Sequence, residues 1–504
     1  MSFGLKNTDI KRIKDVFHLH NKVNEVLIFG SRAMGTERLG SDIDLAVKGE
    51  HIDIDDILKI RTQLDELTIA YECDVVNYDV IETPEFKEHI DKHGIVFYQR
   101  EEKPSEWKTY KLGNITEKIG SGATPRGGKE AYLEDGDYSL IRSQNILDFV
   151  FSKNGLAYIS EKQATELRNV SIKEGDILLN ITGDSVARVC QVPKEVLPAR
   201  VNQHVAIVRG KKEAIDQTFL KYYLLEPSFK RYMLGLASSG ATRNALTKAM
   251  IENFEIQAPK LKTQKEIAQI LSSLDDKIEV LQQMNQTLEN IAQAIFKEWF
   301  VEFNFPGFDG ELMDGLPKGW RTGSIYDLID VTYGFPFKSN LFNSEKKGKG
   351  LIRIRDLKNN CCGFFTEEEA QEKHIINAGD IVAGMDAEFL PSIWLGEQAW
   401  LNQRLCKFSP KQTNVSELFI YHTVKPLLEK SQYGKVGTTV IHLGKSDIDR
   451  YEILIPNKEV LAEYKTISQN IHKKIIINQY QIRSLTQARD TLLPKLMSGE
   501  LEFN

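Results

Sequence analysis

The sequence predicts a multidomain α/β protein. A small α/β domain at the front is followed by two tandem globular α/β domains, and each of these ends in a long helix. Three observations support this fold class. The 504 residues are too many for one hydrophobic core. Residues 105–504 contain one unit twice, and each copy closes on a long stretch with a heptad of apolar side chains. Residues 1–100 carry short strand and helix patterns that differ from the repeated unit.

Composition and charge limit the classes of protein to which this chain can belong. The chain is 41% hydrophobic and 27% charged, with no apolar run long enough to span a bilayer and no secretory signal pattern, so we expect a cytoplasmic protein. Its five cysteines lack metal-ligand spacing and are typical of buried or incidental thiols. Residues 1–104 hold 14 basic and 21 acidic side chains, which accounts for the net charge of −6. The remainder permits DNA binding through local basic surfaces.

The front domain, residues 1–100, alternates short helices and strands. A helix over residues 8–20, capped by Thr8, leads to the strands EVLIFG and DIDLAVKG, a second helix, the strand CDVVNY, a third helix and the strand IVFY. Asp42 and Asp44 stand two residues apart in the second strand and therefore point to the same face. Asp74 begins the next strand and completes a predicted cluster of three carboxylates.

The stretch GSRAMGTERLGSDID joins the first two strands and predicts a phosphate and metal site. Three carboxylates suit hard divalent cations, and two such cations can clamp an in-line displacement. Gly30 permits close approach of the backbone, Ser31 and the turn amides can hold phosphate oxygens, and Arg32 is placed to neutralise a departing pyrophosphate. We therefore predict that the three aspartates are catalytic and metal-binding, and that Gly30, Ser31 and Arg32 bind nucleotide. The alternative is an acidic docking module whose aspartates cap turns.

The remaining residues hold two copies of one unit. The matched segments are SGATRNALTKAMIENFEIQAPK from residue 239 with VGTTVIHLGKSDIDRYEILIPN from residue 436, EGDILLNITGD (174–184) with AGDIVAGMDAE (378–388), and VNQHVAIVRG (201–210) with LNQRLCKFSP (401–410). In each copy, short β-branched runs separated by Gly, Pro and Asn turns indicate a mixed α/β domain.

Each copy ends in a predicted long helix. The first contains no Gly or Pro over residues 263–300, and Thr263 is placed to cap it. A narrow apolar stripe on a long helix needs a partner helix. We therefore expect the two helices to pack antiparallel within the chain, in preference to two core helices or a homodimeric coiled coil. The predicted order is the front domain (1–100), the first globular domain (105–262), the first spacer helix (263–303), a linker (304–319), the second globular domain (320–457), and the second spacer helix with a tail (458–504).

Several segments of the repeat carry a family resemblance. AIFKEWFVEF, LPKGW and LLPKLMSGEL, with ATPRGGKEAY, YGFPFKSNLF and the paired VNQHV and LNQRL, together resemble the DNA-specificity subunit of type I restriction-modification systems. The resemblance implies two target-recognition domains that each read one half of a bipartite, asymmetric DNA site, and two helices that set the gap. It implies as partners double-stranded DNA, two DNA methyltransferase subunits and a helicase-nuclease restriction subunit. It implies no membrane partner, no catalytic residue and no cofactor for this part.

The front domain has a different resemblance. Its glycine-serine turn and three aspartates resemble the polymerase-β-like minimal nucleotidyltransferase domain, the class found in small antitoxins that transfer AMP from ATP onto a protein. The resemblance implies Mg²⁺ and ATP for this domain. Two functions remain open for the whole chain. The first is a DNA-specificity subunit with an appended nucleotidyltransferase-like domain of regulatory role. The alternative is a nucleotidyltransferase that uses the C-terminal part only for targeting.

Candidate DNA contacts follow from residue chemistry on the predicted loops. Arg and Lys suit guanine, Asn and Gln suit adenine, and Lys, Arg, Ser and Thr suit phosphate. The candidates are Thr124, Arg126, Lys129, Arg142, Gln144, Arg188 and Arg243 in the first domain, and Lys338, Arg353, Arg355, Arg404 and His442 in the second. For each of them the alternative is a solvated surface side chain. Gln203 and Gln403 occupy matching positions, and structural hydrogen bonding explains them as well as base contact does.

Overall fold

The computed structural model describes residues 3–20, 22–38, 40–49, 52–100, 107–238, 244–434 and 441–501. The chain divides into two compact units, Met1–Asp275 with Ala488–Asn504, and Asp276–Gln487. The first unit holds the front domain and the first repeat domain (107–260), and the second unit holds the second repeat domain (312–457). None of the helices within the described ranges combines the length and hydropathy that a bilayer crossing requires.

The front domain is a four-stranded sheet with helices on both faces. Its elements are α1 (Asn7–Leu19), β1 (Val23–Ile28), α2 (Gly30–Ala33), β2 (Ile43–Gly49), α3 (Ile54–Asp65), β3 (Cys73–Asn77), α4 (Pro84–His93) and β4 (Ile95–Gln99). The strand order is β3-β2-β1-β4, with β2 and β3 parallel and β1 antiparallel to both of its neighbours. Helices α1 and α3 bury Phe17 and Ile60 against one face, and α4 buries Ile90 against the other.

Two helix starts in the front domain show how local sequence fixes the elements. Asp53 caps α3, because its carboxylate accepts from the Asp56 amide at 2.9 Å while the Asp56 carboxylate accepts from the Asp53 amide at 3.1 Å. The start of α1 differs from the prediction. The helix already includes Asn7, so Thr8 lies inside it and is not its cap.

The first repeat domain contains two sheets and a two-stranded ribbon. Its elements are β5 (Lys108–Lys111), β6 (Thr116–Ser121), β7 (Tyr138–Ile141), β8 (Ala157–Ile159), α5 (Glu161–Glu166), β9 (Ile177–Asn180), β10 (Val189–Gln191), β11 (Ala199–Val201), β12 (Val205–Gly210), α6 (Gln217–Leu225), α7 (Pro227–Ser238), α8 (Lys248–Glu252) and β13 (Glu255–Ala258), and the long helix α9 (Leu261–Phe300) follows. The strand orders are β10-β9-β12-β6, β11-β7-β8 and β13-β5.

The second repeat domain has the same plan. Its elements are β14 (Leu312–Met313), β15 (Leu316–Pro317), β16 (Arg321–Ser324), β17 (Ile329–Tyr333), β18 (Lys349–Ile352), α10 (Ile354–Leu357), β19 (Phe364–Thr366), β20 (Ile375–Ile376), β21 (Ile381–Gly384), β22 (Pro391–Ile393), β23 (Ala399–Leu401), β24 (Leu405–Pro410), α11 (Glu417–Gly434), α12 (Lys445–Ile448) and β25 (Glu452–Ile455), and α13 (Lys458–Ser498) follows. The orders β22-β21-β24-β17, β19-β18-β23-β20 and β16-β25 correspond to those of the first repeat domain, with β20 as an additional strand, so the predicted duplication of an α/β domain is confirmed.

Helices α9 and α13 pair antiparallel, as the heptads predicted. In the first unit, Leu271 of α9 shares a core with Leu493 of α13. In the second unit, Leu281 of α9 packs with Ile482 of α13, so residue numbers rise along α9 as they fall along α13. One detail of the prediction is wrong. Helix α9 begins at Leu261, which places Thr263 inside its first turn and not at its cap.

Two polar contacts interrupt the apolar seam of the helix pair. In the second unit, Asn478 is fully buried and its Nδ2 donates to Oδ1 of Asn285 at 2.8 Å. In the first unit, Asp275 accepts from Nη1 of Arg489 at 2.9 Å and from the Tyr222 hydroxyl at 2.6 Å. The Asp275 carboxylate therefore joins α9 to α13 and also to α6 of the first repeat domain.

Candidate nucleotide site and nucleic-acid interface

One edge of the front sheet gathers the predicted nucleotide-site residues. Asp44 and Asp74 are paired residues of the parallel strands β2 and β3, so their side chains leave the same face. Asp42 is exposed and directly precedes β2. Gly30 has a φ of +68°, and a Cβ built there would overlap the Asp44 carboxylate. Position 30 therefore requires glycine both for its backbone conformation and for the approach of Asp44.

The charges at this edge interact. Burial raises the pKa of Asp44, the negative charges of Asp74 and Asp42 raise it further, and the positive charge of Arg32 opposes them. Within the described residues, none of the three carboxylates accepts a hydrogen bond or forms an ion pair. Across the described ranges no group of three His, Cys, Asp or Glu side chains is arranged to hold a metal ion. The backbone thus places the three charges on one face without a finished coordination group.

Arg32 has a structural role, and its predicted contact with pyrophosphate is a misassignment. The side chain is only 3% exposed. Its Nε donates to the carbonyl of Asp42 at 3.0 Å, and its Nη1 donates to the carbonyl of Phe3 at 3.0 Å. The guanidinium also lies 4.3 Å from the centre of the Tyr71 ring. Arg32 therefore anchors the loop between β1 and β2. Ser31 is half-buried beside it in α2.

The front domain rests on the first repeat domain through the opposite end of its sheet. Asp15 of α1 forms an ion pair with Arg231 of α7 at 2.9 Å. A cleft of about 1420 Å³ beside this contact is lined by Asn24, near the start of β1, and by Gln99, at the end of β4. Gly30 follows the other end of β1. The aspartate edge therefore points away from the first repeat domain.

An open pocket of about 420 Å³ in the first repeat domain, lined mainly by polar residues, brings together Gln144 and Arg188, two of the predicted DNA contacts. The pocket is also lined by Thr182 and His204, which the residue-by-residue prediction missed. A signal for His204 was present, because it follows Gln203 in the VNQHV segment that recurs as LNQRL.

A chain of hydrogen bonds holds this pocket. The Thr124 hydroxyl donates to Oε1 of Gln203 at 2.6 Å. The Gln203 amide lies 3.0 Å from Nε2 of His204, and because an amide nitrogen only donates, Nε2 accepts. His204 Nδ1 is then the donor to the Thr182 hydroxyl, at 2.6 Å. The network fixes the ring of His204 beside the open pocket.

The other candidates of the first repeat domain are placed differently. Arg142 is tied to its own domain, because Nη2 donates to the carbonyl of Gly155 at 2.5 Å and the guanidinium lies 5.1 Å from the Tyr132 ring centre. Arg126 is exposed. Lys129 lies in a short turn of which only the backbone is described, and Arg243 lies outside the described residues.

In the second repeat domain the structure joins Arg404 and His442 through a residue that the prediction missed. The Asp386 carboxylate lies 3.0 Å from Nη1 of Arg404 and 2.6 Å from Nδ1 of His442. The remaining candidates separate into two kinds. Lys338 and Arg355 are exposed, as a nucleic-acid contact requires. Arg353 instead is only partly exposed and forms a bidentate pair with Asp356, and its role as a DNA contact stays a prediction.

Residues 104–290 and 317–487 match the family model of the type I restriction modification DNA specificity domain. The chain belongs to this specificity family. It is 29% identical over 420 residues to the type I restriction enzyme MjaIX specificity subunit of Methanocaldococcus jannaschii, and the match covers 79% of this chain and 94% of that protein. The HindI specificity subunit of Haemophilus influenzae is 25% identical, with 79% of this chain and all of that protein covered.

The fold supports the same assignment. The crystal structure of a type I restriction-modification S subunit from M. genitalium superposes with a TM-score of 0.52 at 13% identity, covering 79% of this chain and 97% of that one. Residues 11–103 match a separate model, the polymerase beta nucleotidyltransferase family. Both predicted resemblances are confirmed. Of the two functions left open by the sequence, these matches support the DNA-specificity subunit. They do not support a nucleotidyltransferase that uses the C-terminal part only for targeting.

Proposed function

We propose that this chain recognises a bipartite, asymmetric DNA site for a type I restriction-modification complex. The observation that carries the proposal is the duplication, because each of two domains with corresponding sheets is followed in the chain by one helix of an antiparallel pair. Each repeat domain reads one half of the site, and its exposed polar face offers the donors and acceptors that base edges require.

The paired helices set the distance between the half-sites. Helix α9 contains 40 residues. At about 1.5 Å per residue its length is roughly 60 Å, which exceeds the ~34 Å of one turn of B-DNA. A pair of this length can keep two groove-reading domains at a fixed separation on a duplex. The spacer of the DNA site is then a property of the helices, and the half-site sequences are a property of the domains.

The partners that we propose are double-stranded DNA, two DNA methyltransferase subunits and a helicase-nuclease restriction subunit, in the cytoplasm. Exposed apolar side chains on the outer faces of the helices support docking of further subunits. Val280 is 49% exposed and Ile291 43% exposed on α9, and Ile477 is 51% exposed on α13. A docked subunit would cover these exposed apolar side chains with its own surface.

A matched deletion tests the spacing role. Asn285 faces Asn478 across the pair, so residues 279–285 and 478–484 are opposite heptads. Removing both preserves the pairing and shortens the rod by about 10 Å, close to three base pairs. The variant is purified with its methyltransferase subunits, and methylated sites are mapped by sequencing. We expect unchanged half-sites and an altered spacer. Replacing the same heptads with others of equal length is the control, which keeps the spacer, and an unchanged spacer after the deletion would overturn the proposal.

For the front domain we propose binding of ATP with Mg²⁺ and transfer of AMP to a protein, with a regulatory role. The family match supports this, as do the approach of Asp44 to the Gly30 backbone and three carboxylates that carry charge without a protein partner in the described residues. When bound, the cation would neutralise the aspartates and the triphosphate. Asp42, Asp44 and Asp74 would hold the cation, and Gly30 and Ser31 would hold phosphate.

The test of the front domain uses the whole chain in its complex. Titration with ATP, with and without Mg²⁺, measures binding, and labelled AMP follows transfer to protein. We expect Mg²⁺-dependent binding and labelling that Asp42→Ala abolishes. The exposed Asp55, in the first turn of α3, supplies the control variant Asp55→Ala. Absence of ATP binding at millimolar concentration would exclude a nucleotide site. Binding without labelling would exclude the transfer step alone.

A further inference from the structure

The two repeat domains present different side chains at equivalent positions of the same polar face. In the first, the Ile181 amide donates to the carbonyl of His204 at 3.0 Å. In the second, the Met385 amide donates to the carbonyl of Arg404 at 2.9 Å. Each bond joins the residue after the central strand, β9 or β21, to the residue before the next strand, β12 or β24. His204 and Arg404 are therefore structural equivalents.

The next residue along each chain extends the equivalence. Thr182 forms an antiparallel bridge with Ala245, and Asp386 forms the same bridge with His442. Thr182 thus corresponds to Asp386, and Ala245 corresponds to His442. In both domains the side chain at the first position holds the side chain that comes from the VNQHV or LNQRL segment. The Thr182 hydroxyl is bonded to His204 at 2.6 Å, and the Asp386 carboxylate is bonded to Arg404 at 3.0 Å.

A further pair lies in the turn beside this face. The turns at 142–145 and 353–356 both close with a bond from the first backbone amide to the last side-chain oxygen, at 3.0 Å in each. Gln144 and Arg355 are the third residues of these turns, and both are exposed. The first domain therefore presents an amide where the second presents a guanidinium.

The chemistry of the two sets differs in the way that base recognition requires. Arg404 is 58% exposed, whereas Asp386 is 23% exposed and also accepts from His442. Asp386 is thus a positioning residue, and Arg404 keeps further N–H groups open to a ligand. A guanidinium pairs in bidentate fashion with O6 and N7 of guanine, and a glutamine amide pairs with N6 and N7 of adenine.

We propose that Gln144 in the first domain, and Arg355 and Arg404 in the second, are base-reading residues at these equivalent positions. Gln144 selects a half-site with adenine at the contacted position, and Arg355 and Arg404 select a half-site with guanine. His204 uses both ring nitrogens within its own domain and is a positioning residue. The inference rests on the proposed function, in which each repeat domain reads one half-site. It adds which residues read the bases and which bases the two halves contain.

The test maps methylated sites for the complete methyltransferase complex carrying Arg404→Gln, Arg404→Lys or Gln144→Ala. Loss of one bidentate contact lowers discrimination roughly 5- to 150-fold at one base pair. We expect Arg404→Gln and Arg404→Lys to relax a guanine position in the second half-site alone, and Gln144→Ala to relax an adenine position in the first. Arg321, which pairs with Asp327 on the separate β16 ribbon, supplies the control Arg321→Gln, which leaves both half-sites unchanged.

The possible outcomes distinguish a failure of the base-reading assignment from a failure of the proposed function. A wild-type complex that methylates no defined bipartite site overturns the proposed function itself. A defined site whose two halves keep their full discrimination in the Arg404 and Gln144 variants overturns only the base-reading assignment. Weaker methylation at every sequence, with Arg404→Lys retaining activity and discrimination, would make Arg404 a phosphate contact and also overturns it. Thermal melting of each variant shows that the domain is folded, and the sequence preference of folded protein is the deciding measurement.

Discussion

Replacing Asn478 with leucine tests whether the polar layer of the helix pair fixes its register. Asn478 has no exposed surface, and its Nδ2 donates to Oδ1 of Asn285, which is only 8% exposed. Leucine has the same branched side-chain skeleton as asparagine, with two larger methyl groups in place of the polar atoms. The single change Asn478→Leu therefore removes the donor and leaves a buried amide oxygen at Asn285 without it. The double change Asn285→Leu with Asn478→Leu removes both amides together.

The single and the double variant are expected to change the stability of the helix pair differently: the single variant is less stable than wild type, and the double variant is not. A buried acceptor that loses its partner costs about 1–3 kcal/mol, so the single variant should be destabilised by about that amount. The wild-type layer is itself imperfect, because Oδ1 of Asn478 is buried and has no partner within the described residues. Removing both amides from an apolar seam is therefore expected to be neutral or stabilising. For a domain of 150–250 residues, each kcal/mol corresponds to roughly 2–4 °C in melting temperature.

Melting curves of wild type, both single variants and the double variant provide the assay, and methylation mapping shows the consequence for DNA. If the amide pair selects one register, the double variant should melt no lower than wild type yet methylate sites with more than one spacer length. The reasoning is refuted if the single variant Asn478→Leu has the same melting temperature as wild type. A double variant that keeps one sharp spacer would leave the stability argument intact and remove the role in register.

Three further predictions concern other parts of the chain. Asp275→Ala should lower the stability of the first unit by about 1–3 kcal/mol in thermal unfolding, because the Tyr222 hydroxyl and Nη1 of Arg489 lose their acceptor while Asp490 still pairs with Arg489. Asp44→Asn should raise the melting temperature at pH 7 without metal. The pKa of Asp44 is raised in the folded state, so its charge opposes folding above that pKa, and Mg²⁺ should stabilise wild type more than this variant. Cys361 is exposed and should be the first of the two thiols that iodoacetamide alkylates, as mass spectrometry would show. Burial raises the pKa of Cys406 to about 12 and should protect that thiol from alkylation.

The repeat and the long helices could be predicted because their signals are periodic and local. A heptad stripe without Gly or Pro specifies a helix from its own residues, and the observed start at Leu261 lies only two residues before the predicted Thr263. The ends were less predictable, since a cap depends on one side chain and several polar residues compete for it. Thr8 shows the same effect, because the preceding Asn7 already has helical conformation.

Side-chain roles were less predictable, because they depend on atoms distant in sequence. Arg32 looked like a phosphate ligand, yet the carbonyls of Ser41, Asp42 and Phe3 occupy its donors. Arg353 is a different case. Its partner Asp356 stands three residues away, so the ion pair could have been inferred from spacing alone. Thr182 could not have been placed beside His204 without knowing which strands are neighbours.

The front domain meets the first repeat domain through the end of its sheet that lies opposite the aspartate edge. Its contact with the first repeat domain uses α1, where Asp15 meets Arg231, and the cleft there includes Asn24. Gly30 lies six residues beyond Asn24, just past the end of β1 at Ile28, which is at most roughly 20 Å at the rise of a strand. A nucleotide, or a protein that receives AMP, can therefore reach the aspartate edge without displacing the first repeat domain. Arg231→Ala removes the ion pair with Asp15, so it tests whether nucleotide added to the complex changes DNA reading through this contact while both proposed sites stay intact.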